Sequence, residues 1–175
     1  PKWGEYERTT ASVLNAYIGP VTSAYLGKID GSLKELGYPH PLQITSCAGG
    51  TVSVGKGIEA PLLTLDSGPV AGVTGSAFLG RLMGHRNIIT TDMGGTSFDV
   101  GIIHDGEGAT SHLSTVNQYQ YFLPKVDIQT VGAGGGSLAR HDEVTGTLHV
   151  GPESAGARPG PVCYGLGNTE PTVTD

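Results

Sequence analysis

The chain has 175 residues, 37% of them hydrophobic and 15% charged, with a formal net charge of -6. That is enough for a packed core and too apolar for a disordered segment, while scattered cations under a net negative charge exclude a nucleic-acid surface. No apolar run reaches the roughly 18 residues of a membrane span, no signal-type segment opens the chain, and two cysteines make no disulfide framework, so a cytoplasmic protein is expected.

In chain order, apolar residues at three- and four-residue spacing predict one long amphipathic helix, or two broken at Pro20. Val13, Tyr17, Val21, Ala24, Tyr25, Ile29, Leu33 and Leu36 form its expected face, Thr9 or Thr10 its cap and Gly37 its end. "PLQITSC" reads as a short strand ending in the "AGG" turn. "SGPVAGVTGSAFLGRLMG" reads as a helix starting at Ser67 or Gly68, with Pro69 in its first turn. "NIITTD" and "FDVGIIH" read as an antiparallel hairpin with "MGGTS" at its tip, and "ATSHLSTV" as a strand extending that sheet. "PKVDIQTVGAGGGSLAR" is a strand followed by a triple-glycine loop. Residues 151–175 read as an irregular, glycine- and proline-rich segment.

Glycine is unusually frequent, 29 of 175 residues against roughly 7% on average. The glycines cluster in loops between apolar runs, as they do where backbone approaches a ligand closely. At the hairpin tip, Gly94 and Gly95 are followed by Thr96 and Ser97, with Asp92 on one shoulder and Asp99 on the other. Amide groups of such a turn make a concave anion site, and the two hydroxyls add donors. A carboxylate beside a phosphate calls for a divalent cation between them, and Mg²⁺ uses one or two carboxylates plus phosphates and waters. Magnesium–nucleotide therefore fits this turn: glycines and Thr96 on phosphate, Asp92 on the metal. A plain hairpin with a solvated aspartate is the competing reading.

Among other candidates, Asp127 precedes the triple-glycine loop and suits a base or metal ligand, or else a strand-end carboxylate bonded to the next turn. The six histidines lack metal-ligand spacing, Cys163 has no local histidine partner, and Tyr119, Tyr121 and Phe122 read as core or interface residues.

"TTDMGGTSFDVGII" resembles the second phosphate loop of the actin, heat-shock chaperone and sugar kinase superfamily. Four phrases in order, "SGPVAGV", "DMGGTSFDV", "VGAGGGSLAR" and "VGPESAGARPGPVCYG" with "EPTVTD", resemble the hydantoinase A / 5-oxoprolinase family more closely, which includes acetone and acetophenone carboxylase subunits. The resemblance implies an α/β, actin-like (ribonuclease H-like) ATPase fold, here a partial domain with a long N-terminal helix and a β-hairpin phosphate loop. Residues 1–175 would form part of one such domain: a helical lead-in over 1–40, a nucleotide-binding part over 41–150 and the irregular segment over 151–175. The absence of an initiating Met, the unfinished end and the family's greater length together suggest an internal fragment.

The resemblance implies that Asp92, Gly94, Gly95, Thr96 and Ser97 face nucleotide phosphate, with Asp92 also holding Mg²⁺ and Asp99 bracing the turn. Gly132, Gly134, Gly135, Gly136 and Ser137 would face the same cleft, and Asp92 and Asp127 are the candidate catalytic acids. Where the family often has Asn or Asp before the paired glycines, Cys47 and Ala48 stand here. The implied activity is ATP-dependent hydrolysis of a cyclic amide through carbonyl phosphorylation. Ketone carboxylation is the alternative, and a non-catalytic nucleotide-binding module the second. Implied cofactors are ATP and Mg²⁺; implied partners are a small carbonyl substrate, a hydantoinase B-type subunit and the rest of a longer chain, with no nucleic acid or membrane.

Overall fold

The computed structural model describes residues 4–175, so residues 1–3 of the expected helical lead-in lie outside the described residues. The described chain divides into two compact units. One comprises the residues up to Ile88 together with Ile102–Asp127, and the other Ile89–Gly101 together with Ile128–Asp175.

The first unit opens with a single helix, α1, Glu5–Glu35, which carries Pro20 without breaking. It starts a turn earlier than the threonine caps suggested, with Gly4 in left-handed backbone as its N-cap. The face expected to pack is buried only in part, at Ile29 and Leu33, and its N-terminal half is exposed. Val13, Tyr17, Val21 and Tyr25 are exposed, Tyr17 at 81%, whereas Ala11, Leu14 and Ile18 pack into the core and Leu26 is buried. Both stripes are apolar and sit side by side on the helix, so periodicity alone cannot choose between them.

Strands β1 (Gln43–Thr45) and β2 (Thr51–Ser53) pair antiparallel around the "AGG" turn. A short helix, α2, Val54–Glu59, follows, capped by the Ser53 hydroxyl accepting from the Lys56 N–H, and then a 3-10 turn, Pro61–Thr64. Helix α3 runs from Ser67 to Met83 and ends on Gly84 in left-handed backbone. It takes up the small-residue phrase as expected, burying Val70, Val73, Ala77 and Gly80.

Strands β3 (Ile88–Met93) and β4 (Phe98–His104) form the predicted hairpin. The far end of β4 pairs with β5, Glu107–Gly108. The segment expected to extend this sheet does not. It is β6, Thr110–Val116, which pairs in a separate two-stranded sheet with β7, Tyr119–Val126. The reason lies in a tight turn: Asn117 adopts φ 53°, a conformation asparagine tolerates, and the chain reverses at once.

The unit's core gathers buried Cys47, Leu62, Tyr121 and Leu123, with α1, the 3-10 turn and β7 around it. Tyr121 meets the core expectation at 1% exposure, while Tyr119 and Phe122 are exposed. At its edge Lys125 bonds Asp66 at 2.8 Å. Burial raises the pKa values of the Cys47 thiol and the Tyr121 phenol. Burial opposes the Lys125 charge, but the hydrogen bond and charge of Asp66 outweigh it and the ammonium pKa rises too. All three therefore stabilise the fold fully below their unfolded values, about 8.5, 10 and 10.4, and lose that contribution as pH rises through the folded ones. Thermal melts should be flat near neutrality and fall above about pH 9, and Cys47→Ala should delay the onset.

The second unit is the hairpin tip wrapped by the C-terminal third of the chain. Strand β8, Ile128–Val131, pairs with the near end of β4, from Phe98↔Val131 to Gly101↔Ile128. Strands β9 (Ser137–His141) and β10 (Leu148–Ser154) form a second hairpin. A 3-10 turn, Val162–Tyr164, and a tail bridged to β9 at Leu138↔Thr172 complete it. Among the described residues no helix is long and apolar enough to cross a membrane.

Candidate phosphate-binding cleft

The hairpin tip is closed by the Gly94 N–H donating to the Ser97 carbonyl at 3.0 Å. Asp99 braces it, its two oxygens accepting from the Ser97 hydroxyl at 3.1 Å and the Thr130 hydroxyl at 2.6 Å. This commits the Ser97 proton to the turn's own support. The N–H groups of Gly95, Thr96 and Ser97 and the Thr96 hydroxyl carry no hydrogen bond among the described residues.

The triple-glycine loop lies directly against this turn. Gly135 and Gly136 donate their N–H groups to the carbonyls of Gly94 and Gly95, at 2.9 and 2.6 Å. Between them and β8, Gly134 touches the turn backbone. A Cβ there would stand 2.6 Å from the nitrogens of Thr96 and Ser97 and 2.7 Å from the Gly95 carbonyl carbon. Only glycine fits such an approach. The fully buried Ser137 hydroxyl accepts from the Gly134 N–H at 2.8 Å, holding the loop's base. The loop amides thus hold the carbonyls of Gly94 and Gly95, while the N–H groups of Gly95, Thr96 and Ser97 stay unbonded.

A third layer backs the second. Thr174 donates through both its N–H and its hydroxyl to the Gly135 carbonyl, at 3.0 and 2.7 Å. The neighbouring Asp175 carboxylate accepts from the N–H groups of Val162, Cys163 and Thr172 and from the Thr172 hydroxyl. Those backbone bonds, that from Cys163 first, hold its carboxyl far below the usual carboxylate range. The same carboxylate, hydrogen-bonded to the thiol, raises the Cys163 pKa.

These layers enclose a cleft of about 730 Å³. Of the residues expected at the site, Gly94, Gly95, Thr96, Gly135 and Gly136 line it. Gly134 and Ser97 sit behind it as supports. Asp92 is exposed one residue before the lining Met93 and carries no hydrogen bond or ion pair among the described residues. Asp127 is the last residue of the first unit, its N–H donating to the Ala109 carbonyl. Tyr164, Pro161, Gly156, Ala157 and Thr174 were not anticipated as lining residues. Their signal was present in "SAGARPGPVCYG" and "EPTVTD", phrases that carried the resemblance without assigned roles.

The one carboxylate free at the turn, Asp92, matches what Mg²⁺ asks of a protein when phosphates and waters supply its other ligands. Among the described residues no cluster of three or more His, Cys, Asp or Glu could hold a metal by itself. Arg140 is spent on Glu153 and Glu170, at 2.6 and 3.3 Å.

A glycine hairpin braced by an acid and backed by a glycine loop accords with an actin-like α/β fold. The match to known proteins makes this specific: residues 8–175 fit the Hydantoinase/oxoprolinase family model, and the chain belongs to that family. It is 42% identical over 175 residues to caprolactamase subunit alpha of Pseudomonas jessenii, covering 100% of this chain and 25% of that protein. It is 41% identical to the acetophenone carboxylase gamma subunit of Aromatoleum aromaticum, covering 99% of this chain and 24% of that one. The solved nucleotide-free structure of acetone carboxylase superposes with a TM-score of 0.84 at 35% identity, over 98% of this chain and 24% of its own. The chain thus spans about a quarter of the length of these relatives.

Proposed function

We propose that this chain is the phosphate-gripping part of an ATP-dependent enzyme that opens a cyclic amide by phosphorylating its carbonyl oxygen. The observation that carries the reading is the turn 94–97, where the amides of Gly95 and Thr96 are left free while the carbonyls of Gly94 and Gly95 are bound from behind. The caprolactamase likeness favours a lactam or related ring as substrate.

In the reaction, the amide oxygen attacks the terminal phosphorus of ATP, and the bond from that phosphorus to the bridging oxygen breaks, releasing ADP. Water then attacks the activated carbon and the C–N bond opens to leave an acyl phosphate, which a second water hydrolyses to the carboxylate and free phosphate. The protein's contribution is placement and fixed donors. Gly95 and Thr96 N–H groups and the Thr96 hydroxyl meet phosphate oxygens, Ser97 and Asp99 keep the turn in shape, and Gly134, Gly135 and Gly136 prevent it from relaxing. Asp92 would hold Mg²⁺, which neutralises charge on the phosphates when bound. Asp127 remains a proposed catalytic acid.

The similarity to the acetophenone carboxylase subunit and the acetone carboxylase structure supports a second reading. In it, the phosphorylated species is an enol that attacks a carboxyl group activated from bicarbonate. Both readings take the working protein as a longer polypeptide assembled with a B-type subunit; the relatives named as subunits support assembly. The two free cysteines support a reducing, cytoplasmic setting.

ATP hydrolysis by the intact native assembly, assayed over lactams, hydantoins and ketones with and without bicarbonate, separates them. Turnover with a cyclic amide and no bicarbonate requirement is the expected result. Ketone-stimulated turnover with labelled bicarbonate entering the product would establish the carboxylase reading instead.

A further inference from the structure

We infer that this cleft selects an uncharged carbonyl compound as phosphoryl acceptor, and that Tyr164 is the specificity-determining wall against which its apolar body rests. The inference deepens the function proposed above and depends on it. The cleft's wall away from the turn is made by Ala157, Pro161 and Tyr164, with Met93 beside the turn itself, and no lining residue carries a basic or acidic side chain. A carboxylate-bearing acceptor would find no cation among the lining residues, and a charge taken from water without a partner is strongly disfavoured. Arg158 follows Ala157 but is exposed and does not line the cleft.

The volume, about 730 Å³, falls within the range of sites for small organic molecules, roughly 300–1,000 Å³, and leaves room beside a phosphate. In phosphoryl transfer the group next to the terminal phosphate is the acceptor, while the base is held off by the ribose and the other phosphates. A wall sharing one cleft with the phosphate turn therefore serves the acceptor.

Tyr164 is also built into place. Its backbone closes the 3-10 turn whose first two N–H groups are held by Asp175, at 3.1 and 2.8 Å. Its ring lies over Gly160, at φ 72°, where a Cβ would come within 2.8 Å of the ring. Tyr164 is itself 56% exposed, and its ring presents an apolar surface that a ligand resting against it would cover.

The test uses the intact assembly, with ε-caprolactam and acetophenone as uncharged acceptors and 5-oxoproline as the carboxylate-bearing one. The wild type should favour the better uncharged acceptor over 5-oxoproline by about 100-fold in kcat/KM. Tyr164→Ala should raise KM for that acceptor about tenfold while KM for ATP stays within twofold, and Tyr164→Phe should retain wild-type values. The inference is overturned by a preference for 5-oxoproline, above all one abolished by Arg158→Ala. It is equally overturned if Tyr164→Ala raises KM for ATP, or moves neither constant. A wild-type assembly that turns over no ATP with any carbonyl compound would sink the proposed function and this inference together; normal turnover with an indifferent Tyr164 would sink this inference alone.

Discussion

Gly134→Ala should abolish most ATP turnover in the intact assembly, with a loss of at least about 100-fold, the scale that a misplacement of about 1 Å imposes on a reacting centre. The added methyl would meet the nitrogens of Thr96 and Ser97 at 2.6 Å, and these are backbone atoms with no side-chain rotation to yield. Either the glycine loop withdraws, breaking the bonds from Gly135 and Gly136 to the turn, or the turn itself is pushed out of shape. Overpacking of this kind costs about 1–3 kcal/mol, so a lowered melting temperature should accompany the lost turnover. Gly72→Ala is the matched control. Gly72 lies within α3 with open space around its Cα, so alanine there should leave turnover unchanged and stabilise the helix by about 0.5–1 kcal/mol. Equal losses in both variants would remove the special standing of the glycine loop.

Asp92→Asn should separate binding from turnover. The substitution keeps shape and hydrogen bonding but removes the one carboxylate free at the turn. If Asp92 holds Mg²⁺ against the phosphates, turnover should fall by about 100- to 1,000-fold, as it does when one preorganised electrostatic contact to a transition state is lost. Nucleotide affinity, supported by the turn amides, should fall far less. Steady-state hydrolysis and calorimetric ATP titration of the same preparation give the two numbers. A large loss of affinity with proportionate loss of turnover would make Asp92 a binding group only. A wild type that binds ATP without turning it over would identify a non-catalytic module.

The elements most legible from sequence were those with an unshared signal. The hairpin of β3 and β4 announced itself through two apolar runs around Gly94 and Gly95, and α3 through Pro69 at its start and Gly84 at its end. Helix α1 was legible as a helix but not in its orientation, because Val13, Tyr17 and Val21 compete with Leu14, Ile18 and Leu26 and only tertiary packing decides between them. The partner of β6 was hidden because Asn117, rather than a glycine, supplies the left-handed turn residue.

At the site, the bracing role that the resemblance implied for Asp99 is met by the bonds it accepts from the Ser97 and Thr130 hydroxyls. The inward stacking of Gly134, Gly135 and Gly136 on Gly94 and Gly95 was not readable. A glycine run signals close approach without saying to what, and here the neighbour is the turn's backbone. Thr174 and Asp175, some forty residues further on, reach the same cleft only through the bridge of the tail to β9. No local pattern encodes that pairing.

The central claim is that the amides of Gly95 and Thr96 are kept free to receive phosphate. Amide hydrogen exchange of the intact assembly, followed over peptides spanning residues 93–98 with and without saturating MgATP, tests it most directly. The account predicts that these amides, open in the free protein, exchange at least about tenfold more slowly once nucleotide is bound, a protection of about 1.4 kcal/mol. Unchanged exchange in this segment, with ATP demonstrably bound to the same sample, would contradict it.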